Sequence, residues 1–129
     1  MSGLLLDTSA LVDIERGRLD ISSLAASGEE LAMAAITAHE LLRGVARLPH
    51  GVRRAPSERW LETILGSIPI FGYDLEVARV HTAVWLELPA MRFTMGDPDQ
   101  MIAATALSTG YDLATRDAEW MGRLYRFLG

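Results

Sequence analysis

Apolar residues fall in short continuous runs separated by stretches in which they recur every three to four positions, the signature of buried strands alternating with amphipathic helices. Gly3 to Leu6 is such a run, and Thr8-Ser9 offer N-cap residues for a helix carrying Leu11, Val12 and Glu15 that Gly17 ends. Asp20 to Ala26 reads as a second short helix, stopped by Gly28. Leu31 to Ile36 is continuously apolar, as expected of a strand covered on both faces. Thr37-Ala38-His39-Glu40 has capping-box spacing and opens a helix with Leu41, Leu42 and Val45. Pro49 to Pro56 interrupts before a helix over Glu58 to Leu65. Ile68 to Tyr73 predicts a third strand, and Asp74 caps a helix through Val77, Val80, Val84 and Leu88. Asp97-Pro98 starts a helix with proline at the first helical position, running through Ile102 and Leu107 to Gly110. Leu113 to Thr115 is a fourth strand, Ala118 to Met121 a short helix, and Leu124 to Phe127 a candidate edge strand.

This alternation predicts the α/β class: one domain over residues 1–129, with a parallel central sheet of four to five strands and helices on both faces. Ligand sites in such open sheets lie outside the carboxyl ends of the strands. Four carboxylates stand where an apolar run gives way to a turn or helix start: Asp7, Glu40, Asp99 and Asp117. Gathered at one sheet edge, they would need a counter-charge, and a divalent cation is the usual one. Each also has a plainer reading, because carboxylates are favoured in first helical turns by about 0.3–1 kcal/mol. Glu40 fits a capping-box glutamate, Asp97 an N-cap, Asp99 a first-turn acid, and Asp117 a cap of the short helix after it. Asp7 fits a cap least, since Ser9 stands close by as an alternative. On the metal reading, removing Asp7 or Asp99 leaves the fold intact or more stable, because clustered like charges repel.

Composition narrows the chemistry. Half the residues are hydrophobic and 22% are charged, a globular balance. The net charge of −5, from 12 basic and 17 acidic residues, argues against gripping nucleic acid by bulk charge. It leaves open an enzyme that acts on nucleic acid, since a bound metal reverses the local potential. All 12 basic residues are arginine, which removes Schiff-base enzymes, Gly-Lys-Ser/Thr P-loops and any catalytic lysine. Zero cysteines exclude disulfides, zinc–thiolate centres and a thiol nucleophile. No Gly-x-Ser-x-Gly elbow is present, and His39, His50 and His81 lack ligand spacing. With no membrane-length apolar stretch and no basic leader, a cytoplasmic protein is expected. Arg43, Arg47, Arg53, Arg54 and Arg59 form either an RNA-backbone or partner surface or a solvated face.

Leu4-Leu5-Leu6-Asp7-Thr8-Ser9-Ala10-Leu11-Val12 resembles the opening motif of PIN-domain ribonucleases, and Ile36 to Val45 is similar to that family's second motif. Asp99 to Leu107, followed by Leu113-Ala114-Thr115-Arg116-Asp117, resembles the third and fourth. Order, spacing and length resemble the VapC-type toxins of bacterial toxin–antitoxin pairs over nearly the whole chain. The resemblance implies a PIN-like α/β/α sandwich and an Mg²⁺- or Mn²⁺-dependent endoribonuclease leaving 5′-phosphate and 3′-hydroxyl ends. It carries the acidic set over to Asp7, Glu40, Asp99 and Asp117. Asp7 and Asp99 would ligate metal, with Glu40 and Asp117 positioning a water or second ion. Many relatives have asparagine where Asp117 stands. Asp97 is then an accessory ligand or a plain cap, and Ser9 and Thr115 are supporting hydrogen-bond partners or ordinary capping and packing residues. The implied partners are RNA, a small cognate antitoxin and a second copy of the chain.

Other functions compete. A PIN nuclease with a housekeeping role in RNA processing shares every motif, and a catalytically silent binding module shares the fold. Phospho-receivers also place an aspartate after the first strand but need a late lysine. Dehalogenase-type phosphatases want a second acid where Ser9 stands.

Overall fold

A computed structural model describes residues 3–26, 28–90, 92 and 94–116. The chain runs β1 (Gly3–Leu6), α1 (Thr8–Glu15), α2 (Ile21–Ala26), β2 (Glu30–Ala34), α3 (Ala35–Ala46), α4 (Arg54–Ser67), β3 (Ile70–Phe71), α5 (Leu75–Glu87), α6 (Asp97–Thr109) and β4 (Asp112–Ala114). The strands form one sheet in the order β3-β2-β1-β4, and every neighbouring pair is parallel. Residues 118–127, for which a short helix and an edge strand are expected, lie outside the described residues, as does Asp117.

Strand alternation divides the sheet into two packed faces. Leu5, Ala32 and Ala34 turn toward α5 and α6, where Val84, Leu88, Ile102, Ala103 and Ala106 complete a buried cluster. Leu6, Leu31 and Met33 turn the other way, onto Leu11 of α1, Ala38 and Leu41 of α3, and Leu61 and Ile64 of α4. The register agrees with this division: Leu5 pairs with Ala32 and Leu113, and Leu4 pairs with Leu31. Buried Ala103, Ala104 and Ala106 have almost no side chain to separate backbones, so α6 can lie close against the sheet and its neighbours. Gly110 ends α6 at φ 76, a left-handed turn that glycine adopts without strain, and the chain enters β4 at once. Gly3 is required for a different reason: a Cβ there would overlap the ring of Tyr111. That ring also meets Phe71 edge-on, with centroids 5.1 Å apart.

The sheet order creates a switch point. From β1 the chain steps outward to β2 and β3, then returns across α5 and α6 to β4 on the other side of β1. The carboxyl ends of β1 and β4 therefore flank a natural crevice. Because α6 hands directly into the start of β4, the amino end of α6 lies toward the carboxyl edge of the sheet.

Several element boundaries differ from the sequence expectation. The second strand ends at Ala34 rather than Ile36, and α3 begins at Ala35. Thr37 and Glu40 thus sit inside the helix and form no capping box. The Thr37 hydroxyl is buried without a hydrogen-bond partner among the described residues. Pro56 lies in the first turn of α4, where its missing N–H costs nothing, so that helix starts at Arg54 and not at Glu58. The third strand keeps only Ile70 and Phe71, because it pairs on one side alone, with β2. The fourth strand begins one residue earlier than expected, at Asp112, and ends at Ala114. Gly96, not Asp97, is the N-cap of α6, which places Pro98 at the second helical position and Asp99 at the third.

Candidate active site

The last residue before α1 is Asp7, and two elements fix its backbone. Its N–H donates to the carbonyl of Ala114 at 3.1 Å, tying the exit of β1 to the exit of β4. Its extended conformation (φ −81, ψ 177) makes it the N-cap of α1, a role the sequence assigned to Thr8-Ser9. The Ala10 N–H donates to Asp7 Oδ1 at 2.8 Å, and the Ser9 hydroxyl donates to the same oxygen at 2.7 Å. Asp7 is 9% exposed, yet among the described residues nothing donates to its Oδ2. Both hydrogen bonds that described residues give to the Asp7 side chain thus converge on Oδ1.

Glu40 reaches the same edge from α3. Its Oε1 accepts the Thr8 hydroxyl at 2.7 Å, which ties α3 to the first residue of α1, next to Asp7. Thr8 and Glu40 also line a cleft of 280 Å³ between α1, α3 and α4, with Arg16, Arg53 and Trp60. Of the arginine cluster, Arg54 pairs with Glu58 at 2.8 Å and donates to the Leu48 carbonyl, while Arg53 faces the cleft.

Asp97 and Asp99 are exposed in the first turn of α6, at the edge where β1 and β4 end. Thr115 is half-buried directly after β4. Among the described residues no three Asp, Glu or His groups stand close enough to form a ready-made metal cage. The donors nevertheless suit a hard cation: Mg²⁺ takes only one or two carboxylates and keeps several waters. Asp7 and a half-buried Glu40 held by a hydroxyl are oxygen donors of that kind.

Three residues at this edge went unassigned by sequence reasoning. Thr8 looked like a cap but holds Glu40. Arg116 donates its N–H to the Ser9 hydroxyl at 3.1 Å and its guanidinium to both oxygens of Asp13, at 2.6 and 3.2 Å. The hydrogen bond from Arg116, ahead of the burial that opposes it, holds the Asp13 carboxyl below the usual carboxylate range. The reciprocal bond to Asp13 raises Arg116, and the charge of Asp7 adds to the rise. The only sequence signal was spacing: Ser9 and Asp13 are four apart and share a face of α1.

The doubly wound parallel sheet thus places the Asp7 carboxylate at its switch point, where the ligand sites of this fold class lie. Residues 4–126 match the family model described as PIN domain. A ribonuclease VapC from Rickettsia bellii is 30% identical over 95% of this chain and 90% of its own. The solved VapBC2 from Rickettsia felis, bound to a DNA fragment from its promoter, superposes with a TM-score of 0.80 at 20% identity, covering 93% of this chain and 91% of that one. VapBC-5 from Mycobacterium tuberculosis, a member of the VapBC family of toxin–antitoxin systems, gives a TM-score of 0.73 at 23% identity, covering 94% and 89%. The chain belongs to the PIN domain family, and within it to the VapC-type toxins.

Proposed function

We propose that this protein is the ribonuclease toxin of a toxin–antitoxin pair, an Mg²⁺- or Mn²⁺-dependent endoribonuclease that cuts RNA to leave 5′-phosphate and 3′-hydroxyl ends. The observation that carries the reading is the division of labour within Asp7, whose Oδ1 is saturated by Ala10 and Ser9 while Oδ2 faces no described donor. A cap needs only the first oxygen. Relatives at 29–30% identity are named ribonuclease VapC, which supports RNA as the substrate.

In this reading Asp7 and Asp99 ligate the ion, Glu40 and Asp117 position a water or a second ion, and Asp97 is an accessory oxygen donor. Bound there, the ion would polarise a phosphodiester and neutralise the charge that builds in the transition state. The chain's own residues do the rest. Ser9 and Ala10 orient Asp7, and Thr8 orients Glu40. Thr115 supports the exit of β4. Arg16 and Arg53, beside Glu40 in the cleft, supply cations for the flanking RNA backbone. A small antitoxin held against the toxin accounts for its control, and a homodimer is the expected assembly; the structural match to VapBC proteins supports the first.

The test is to incubate the purified protein with total cellular RNA and sequence the 5′-phosphate ends created. New ends should appear with Mg²⁺ or Mn²⁺, vanish with chelator and vanish in Asp7→Asn. Cleavage that persists in chelator would refute the metal mechanism. Cleavage by Asp7→Asn at the parent rate would remove Asp7 from it.

A further inference from the structure

We infer that Asp13 and Arg116 form a clamp that positions the Asp7 carboxylate through Ser9; this rests on the reading of Asp7 as a catalytic residue. The connection follows from hydrogen-bond valence. Ser9 Oγ has one hydrogen, and its oxygen already accepts the Arg116 N–H at 3.1 Å. Its own hydrogen is therefore directed at Asp7 Oδ1, 2.7 Å away. Whatever fixes the backbone of Arg116 thereby fixes the orientation of Ser9, and with it which oxygen of Asp7 remains available.

The side chain of Arg116 adds a second tie between the same two elements. The guanidinium grips both oxygens of Asp13 across 103 residues of sequence, and Asp13 lies one turn after Ser9 on α1. The path from Ser9 along α1 to Asp13, across to Arg116 and back through its N–H closes a ring that joins α1 to the exit of β4. A two-point fork resists rotation in a way that a single contact does not. Asp13 is also approached by Arg18 at 3.5 Å, a longer contact with one oxygen.

Energetics argue for positioning over stability. The Arg116 side chain is 56% exposed, and exposed ion pairs add little to folding stability. A carboxylate displaced by a fraction of an ångström can instead cost about tenfold or more in turnover. Asp13 and Arg116 are thus positioning residues whose loss registers in catalysis before it registers in melting.

The experiment compares the full-length parent with Asp13→Asn, Arg116→Gln and the double exchange Asp13→Arg with Arg116→Asp, on an RNA oligonucleotide that the parent cleaves. Each single variant should lose about 5- to 20-fold in kcat with KM nearly unchanged, and the exchanged pair should recover most of the loss. Amide hydrogen exchange, which needs no RNA, should accelerate at Ala10 and Arg116 in the single variants and stay unchanged in α5 and α6. Arg116→Lys, which keeps the charge without the fork, should fall between parent and Arg116→Gln and serves if a variant folds poorly. An unchanged kcat overturns the clamp, as does a loss confined to KM, which would make Arg116 an RNA contact. So does unchanged exchange at Ala10 and Arg116. A parent that cuts no RNA sinks the ribonuclease reading alone, because the exchange experiment still tests the ring.

Discussion

Asp7 and Asp74 perform the same local task at opposite fates. Each is an extended residue before a helix whose Oδ1 accepts the N–H three positions on, from Ala10 at 2.8 Å and from Val77 at 2.9 Å. Asp74 is exposed and among the described residues has no hydroxyl bound to it; it begins α5 beyond the outermost strand, β3. Asp7 is buried, takes a second hydrogen bond from Ser9, and leaves the central strand where the chain reverses its direction across the sheet. A capping aspartate and a reactive one are indistinguishable at the level of the turn. Their neighbours across the sheet make the difference.

That contrast overturns one sequence expectation. Removing Asp7 should weaken α1, since the residue is a cap whatever else it does, so loss of helicity in an alanine variant says nothing about catalysis. Asparagine separates the two roles, because it caps as well as aspartate but carries no charge. Asp7→Asn should lose about a thousandfold or more in RNA cleavage with its melting temperature within a few degrees of the parent. Asp74→Asn should be indistinguishable from the parent in both assays. Equal activity in the two asparagine variants would erase the contrast.

A third helix start extends the comparison. Asp99 lies in the first turn of α6 but does not cap it, since Gly96 holds that position. Asp99→Asn should therefore lose cleavage to a similar degree as Asp7→Asn while melting no lower than the parent by calorimetry. An Asp99→Asn protein of full activity would take that carboxylate out of the proposed site.

Smaller effects separate packing from chemistry. Gly3→Ala forces its Cβ into the Tyr111 ring and should cost about 1–3 kcal/mol in denaturant unfolding, with the remaining folded protein still active per molecule. Asp7→Ala and Asp74→Ala should each cost about 1 kcal/mol of stability, and only the first should abolish cleavage. A negligible cost at Asp7 would mean that its cap is replaced, for instance by Ser9.

The smallest effect is electrostatic. Asp13 has a folded pKa below its ordinary value, principally through the Arg116 hydrogen bond. Its contribution to stability is then fully present above the unfolded value of about 3.9 and is lost as the pH falls through the lower folded value. Parent and Asp13→Asn should differ slightly in melting temperature at neutral pH and converge below about pH 4, with added salt shrinking the gap. A gap that widens in acid would contradict the pairing.

Much of the fold was legible along the chain because it is written within ten or so residues. Asp74 as a cap, Gly110 as a stop and an apolar strand starting near Leu31, though expected to run to Ile36, all follow from local spacing. The errors fell at junctions. The capping box at Thr37 to Glu40 satisfies the local rule, yet α3 starts two residues earlier, because the chain turns into helix as soon as Ala34 has paired with Phe71. Taken as a cap, Glu40 was an ordinary glutamate; freed from that role, it binds Thr8 from 32 residues away.

Sequence alone indicated that four to five strands alternate with helices and that acids stand at their exits, and it determined that neither lysine nor cysteine chemistry is available. Those properties are local or compositional, and each is carried by residues that touch in the chain. The tertiary structure alone placed β4 beside β1, joined Arg116 to Asp13 and Ser9, and turned the Ser9 hydroxyl onto one oxygen of Asp7. Such contacts depend on strand order and register, which are selected by burying both sheet faces at once. A residue therefore acquires its second role only when the whole sheet has closed around it.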